Sequence, residues 1–223
     1  YWVKTPASPA GTDYGYMGGG APGGKSGVDR IDYSNDTATA AAKGPLSAQT
    51  NVCSTVGNQS YGYFSGGLTG DPDWASITSV SRIDYSNDTA TAAAKGSLTL
   101  PTFKGTAAGN SDYGYNAGGS NFPSGAYSSV QRIEYANDTP NTSPKGNLSV
   151  TRYTHGATGN QSYGYFSGGS PSKSTVDRID YGNDTATAVA KGPLNGARRG
   201  TGSTGNADYG WVAGGRITPS PSR

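Results

Sequence analysis

The sequence predicts an all-β fold, a β-propeller of about five four-stranded blades, and three observations predict it. A segment beginning "RIDYSNDTATAAAKG" at Arg30 returns at Arg82, Arg132 and Arg178 with few changes. A second motif, "YGYMGGG" at Tyr14, returns at Tyr61, Tyr113, Tyr163 and Tyr209. The spacing between them is fixed, with 13 residues from each Arg to its Lys and 18 from that Lys to the next Tyr. Repeats of about 40 to 50 residues with four short strands each are the signature of propeller blades.

Each unit is predicted strand by strand. "GYFSGG" and "VDRIDY" have alternating character and form the inner strands, with the Gly pair allowing close backbone approach near the ring centre. "SNDT" supplies Asn and Asp for a tight turn. "ATAAAK" is Ala-rich, but it is too short for a stable helix and is interrupted by Thr, so it is assigned to a returning outer strand. The fourth strand is the stretch before each repeat Tyr, such as "GTAAGN" at Gly105 or "HGATGN" at His155.

The blades fall at about 5–46, 47–98, 99–148, 149–194 and 195–223, in one domain. The last is short of strands, and the segment "YWVK" at Tyr1 together with the C-terminal tail is expected to complete it. The alternatives are that the sequence is an excerpt of a longer array or that a neighbouring copy supplies the missing edge. The first residue is Tyr1, which suggests a processed chain or an excerpt.

Composition bears out an ordered but unusual core. The 223 residues include 36 Gly and 16 Tyr and only 32% hydrophobic residues, so a core must be built from Tyr, Val, Ala and closely approaching Gly. Aromatics at fixed offsets argue against disorder. Seventeen Lys and Arg balance 15 Asp and Glu, which predicts no nucleic-acid partner. No apolar run approaches the roughly 18 residues of a membrane-spanning helix, and no membrane insertion is expected.

Catalysis finds little support, and the expectation is a non-enzyme without metal or cofactor. Cys53 and His155 are the only residues of their kinds. His155 stands where other units have Cys53, Gly105 and Thr201, so the position demands no particular chemistry. The "GGGAPGGKSG" run from Gly18 has no following helix to make a phosphate loop. The repeated acids are spread over the units and do not form a carboxylate pair. A calcium loop would need a bidentate Glu after "DYSNDT", where a turn suffices. Arg30, Arg82, Arg132 and Arg178 are expected to make inter-blade or inter-strand ion pairs with Asp32, Asp84, Glu134 and Asp180 two residues on. The sequons at Asn35, Asn87, Asn137 and Asn183 are turn chemistry that a secreted eukaryotic protein could glycosylate.

The Gly pair, the Tyr after a variable loop, and the strand leading into the next unit resemble the kelch repeat. The usual Trp of that repeat's fourth strand is replaced here by the Ala-rich run. "RIDYSNDTATAAAKGPL" with "GNQSYGYFSGG" is also similar to repeat arrays of virion structural and tail-fibre proteins of marine bacteriophages. That resemblance implies a virion or extracellular location and a role in host attachment or particle structure.

Only the segments between Gly pair and Arg change length, holding 9, 14, 12 and 8 residues. Such loops emerge together on one face of a propeller, where binding residues tend to sit. The longest carries Trp74 flanked by Asp71 and Asp73, and the next carries Phe122 and Tyr127. Aromatic rings with neighbouring carboxylates suit carbohydrate. The expected function is a structural or adhesion module whose partners are a host glycan, another virion protein or further copies of itself. The alternative is a cellular or secreted lectin-like or scaffold propeller binding carbohydrate or peptide.

Overall fold

A computed structural model describes residues 14–70, 74–121 and 124–217. Among them the fold is all-β, with antiparallel sheets and no α-helix. The first sheet holds β1 (Tyr14–Gly18), β2 (Val28–Asp32) and β3 (Ala41–Lys43) in that order. The second holds β4 (Ser54–Gly57), β5 (Tyr61–Ser65), β6 (Val80–Asp84) and β7 (Ala93–Lys95). The third is built from β8 (Thr106–Gly109), β9 (Tyr113–Ala117), β12 (Val130–Glu134) and β13 (Ser143–Lys145). Between β9 and β12 lies a separate small hairpin, β10 (Ser120–Asn121) and β11 (Gly125–Ala126). The fourth sheet holds β14 (Gly156–Gly159), β15 (Tyr163–Ser167), β16 (Val176–Asp180) and β17 (Val189–Lys191). The last is the pair β18 (Arg199–Gly205) and β19 (Gly210–Arg216).

The four expected strands are present in the second, third and fourth units, and the Ala-rich run is the outer strand of its sheet; in the first unit the strand expected before Tyr14 falls outside the described residues, and the last unit shows two. "GYFS" and "RID" form the middle pair of each complete sheet. The strands that lie against one another from sheet to sheet are instead β4, β8, β14 and β18, which precede each repeat Tyr. The "SNDT" segment is not a tight two-residue turn. Each of Tyr85–Asn87, Tyr135–Asn137 and Tyr181–Asn183 forms one 3-10 turn, and a short loop then leads to the outer strand. The segments at Tyr1 and at residues 218–223, expected to complete the last unit, lie outside the described residues.

The Gly pair behaves as expected of close packing. Gly66 and Gly67 have φ of 64° and 105°, in the left-handed region that penalises a side chain. A Cβ on Gly66 would lie 2.5 Å from the Thr102 carbonyl oxygen, and one on Gly67 2.6 Å from that of Asn51.

The core lies between the sheets. At the third junction, Tyr115, Val130 and Leu148 of one sheet enclose Phe166, Ile179, Tyr181 and Ala188 of the next. The same arrangement recurs with Tyr63, Val80 and Leu98 against Ile133 and Tyr135, and with Tyr16, Val28 and Leu46 against Phe64 and Ile83. Rings stack across each junction: Tyr16 on Tyr85, Tyr63 on Tyr135 and Tyr115 on Tyr181, at 4.8, 5.0 and 4.6 Å between centroids. These offset pairs supply apolar contact that a Leu-poor chain otherwise lacks.

Candidate binding face and the junctions that support it

The inter-sheet ion pairs are real, but their acids are not the expected ones. Arg30, Arg82 and Arg132 reach Asp88, Asp138 and Asp184, the Asp of "NDT" in the following unit, at 2.7, 2.8 and 2.7 Å. Lys43, Lys95 and Lys145 bind the second oxygen of the same carboxylates at 3.2, 3.0 and 3.2 Å. Tyr16, Tyr63 and Tyr115 donate their hydroxyls to them as well. Each Arg also lies over the ring of Tyr14, Tyr61 or Tyr113 in its own sheet. Asp32, Asp84 and Asp180 instead accept from the backbone N–H of Ser34, Ser86 and Gly182 and so shape the turn. Glu134, one methylene longer, makes no such cap.

Burial alone would raise the pKa of Asp88, Asp138 and Asp184. The hydrogen bonds from Tyr and Lys and the charge of Arg outweigh it and hold all three below the ordinary carboxylate range. A three-donor carboxylate, Asp88, Asp138 or Asp184, ties each of the first three sheets to the next.

The two longest of the segments joining second to third strands are tied down by backbone hydrogen bonds. The segment after β5 bonds back on itself through Thr69 N–H to Ala75 O and Ile77 N–H to Gly67 O. Trp74 stands on this loop, 49% exposed. Tyr127 is half-buried, its N–H donating to Gly119 O and its carbonyl accepting from Arg152 N–H. Asp71, Asp73 and Phe122 lie outside the described residues. The structure thus places Trp74 at the surface and Tyr127 within a backbone ladder, and does not bring the two together.

A cleft of about 360 Å3 runs between β4, β8, β14 and β18. Backbone and the hydroxyls of Thr55, Thr106, Thr158 and Ser203 dominate its lining, and no carboxylate reaches it. Cys53 and His155 stand at its edge. Burial pushes the Cys53 thiol up to about 11 and the His155 imidazole down to about 3. His155, 2% exposed, packs against Phe166 and lies near Arg152, whose guanidinium is wholly buried against Asp177 at 2.9 Å. Among the described residues no other unit repeats that ion pair. Gln131 and Ser81 take the place of Asp177 in the two preceding units, accepting from Thr99 and bonding Ser47, where Asp177 accepts from Ser149. Among the described residues no group of three His, Cys, Asp or Glu side chains is placed to hold a metal.

No protein-family model matches this chain, and no curated protein matches it.

Proposed function

We propose that this chain is a non-enzymatic structural and adhesion module of a virus particle, a propeller of kelch-like blades whose variable segments contact a host glycan or a neighbouring particle protein. The observation that carries this reading is the contrast between framework and loops. Each of the three junctions between the first four sheets repeats one carboxylate, one Arg, one Lys and one stacked Tyr pair, whereas the segments joining second to third strands differ in length and composition. Surface loops lengthen at small entropic cost, so the fold permits that variation. It does not call for a large exposed aromatic at Trp74, which a partner explains.

The test is Trp74→Ala. Unfolding should stay within about 0.5 kcal/mol of the parent, as for a surface change, while attachment to a glycan array or to host cell envelopes weakens at least tenfold. A collapsed melting curve would make Trp74 part of the scaffold, and unchanged attachment would remove it from the recognition face.

A further inference from the structure

The fourth sheet presents the same side chains as its predecessors, and among the described residues no further sheet covers them as β15 and β16 cover the third. Tyr165, Arg178, Lys191 and Gly192 are the counterparts of Tyr115, Arg132, Lys145 and Gly146. Tyr115 is fully buried between the Tyr181 ring and Asp184, whereas Tyr165 is half-buried and has neither ring nor carboxylate against it among the described residues. Arg178 keeps its stacking on Tyr163, at 4.2 Å, but has no ion-pair partner among the described residues, and Lys191 is exposed. A Cβ on Gly146 would run into the Ala186 carbonyl, while one on Gly192 would meet nothing within 4 Å.

A groove of about 270 Å3 lies beside these residues, lined by Tyr165, Val176, Leu194 and Val212. They are the counterparts of Tyr115, Val130, Leu148 and Phe166, which at the preceding junction enclose Ile179 and Tyr181. The groove is therefore that core with its Ile and Tyr removed. Among the described residues strand β19 pairs with β18 on one edge and with no strand on the other. On it Tyr209 and Trp211, counterparts of Tyr163 and Tyr165, are 68% and 52% exposed.

We propose that the edge of β19 that no described strand pairs, together with this groove, accepts a β-hairpin from another polypeptide, one of the chemistry Arg-Ile-acid-Tyr, then Asn-Asp-Thr, then a return strand ending in Lys. Laid antiparallel on β19 in the register that β16 keeps on β15, its Arg covers Tyr209. Its Ile and Tyr fill the groove, the Tyr stacking on Tyr165. The Asp of its turn meets Arg178 and Lys191. Main-chain pairing gives such strand addition its affinity, and the side-chain pockets give it selectivity. Three filled junctions in the same molecule show what that occupant looks like. The inference rests on the junctions and is independent of the recognition face at Trp74.

The test adds a synthetic peptide of residues 176–191 to the full chain and follows calorimetry, the melting midpoint and Trp emission. The expected result is saturable one-to-one binding that raises the midpoint and shields Trp211 from a quencher. Asp184→Asn in the peptide, or Arg178→Ala in the protein, should weaken binding at least tenfold, while Trp74→Ala in the protein leaves it unchanged. A free peptide must order on binding, which lowers its affinity. In a second arm the same segment is therefore appended after the C-terminus through a flexible linker, which makes the encounter intramolecular. The appended segment should raise the midpoint, and its Asp184→Asn version should not. Absence of both effects would overturn the proposal. So would self-association of the unmodified chain through Arg178 that the peptide fails to compete away, since an intact second copy would then be the occupant.

Discussion

Arg82 and Asp138 stand 56 residues apart in different repeat units and are joined by a 2.8 Å hydrogen bond between their side chains. The same carboxylate accepts from Tyr63 and binds Lys95. Every described junction between complete faces has this bond set, so its members should behave alike within the array and differently at its end.

Tyr63→Phe and Tyr165→Phe form one such comparison. Removing the Tyr63 hydroxyl takes a donor from a buried carboxylate and should cost about 1.5–3 kcal/mol. Tyr165 has no hydroxyl partner among the described residues, and its replacement should stay within about 0.5 kcal/mol. Urea unfolding of both variants decides it.

Gly96→Ala and Gly192→Ala make a purely steric pair. The added methyl on Gly96 would collide with the Pro140 carbonyl of the next unit, whereas on Gly192 it would meet nothing within 4 Å. The first should lose about 2 kcal/mol or more, as overpacking of a tight contact does, and the second about 0.5 kcal/mol at most. Thermal melts of the two proteins check the contrast.

Acid should act in two stages. His155 is neutral when folded, its pKa brought down by burial and by Arg152 to about 3. The unfolded chain protonates it near the ordinary value of about 6.5, so stability falls as pH drops below that, by about 2 kcal/mol at pH 5. The carboxylates of Asp88, Asp138 and Asp184 titrate below their ordinary range when folded. Their contribution is present above the unfolded value of about 4 and is lost as pH falls through the folded values. His155→Cys, which borrows the residue at the equivalent place in another unit, should abolish the stage between pH 6.5 and 5 and leave the lower one. Urea midpoints measured from pH 7.5 to 3 test this.

The strands and the close-packed Gly pair were legible in the sequence because alternation and Gly are local signals. The outer Ala-rich strand was legible too, through its shortness. The partner of each Arg was not. Two residues along a strand share a face, so Asp32 and its counterparts were the natural choice, yet the side chain of Arg30 turns across the sheet interface to Asp88. One signal was available within the chain itself. The position two after Arg changes to Glu134 in the third unit, while the Asp of "NDT" is the same in all four. The position that takes Glu134 forgoes its turn cap there, whereas Asp88, Asp138 and Asp184 of the kept Asp each take Tyr, Arg and Lys donors. For the candidate site, the exposure of Trp74 agrees with its place in the longest variable segment, whereas Tyr127 sits in backbone pairing that no length comparison reveals.

The most direct measurement is a double-mutant cycle on Arg82 and Asp138, using Arg82→Ala, Asp138→Ala and the double variant. If the junction carboxylate organises the array, the pair should couple by about 1.5 kcal/mol or more, beyond the 0.2–1 kcal/mol of an exposed ion pair. Additive losses, with coupling within about 0.5 kcal/mol of zero, would show that stacking and strand pairing hold the sheets together without it and would contradict the account.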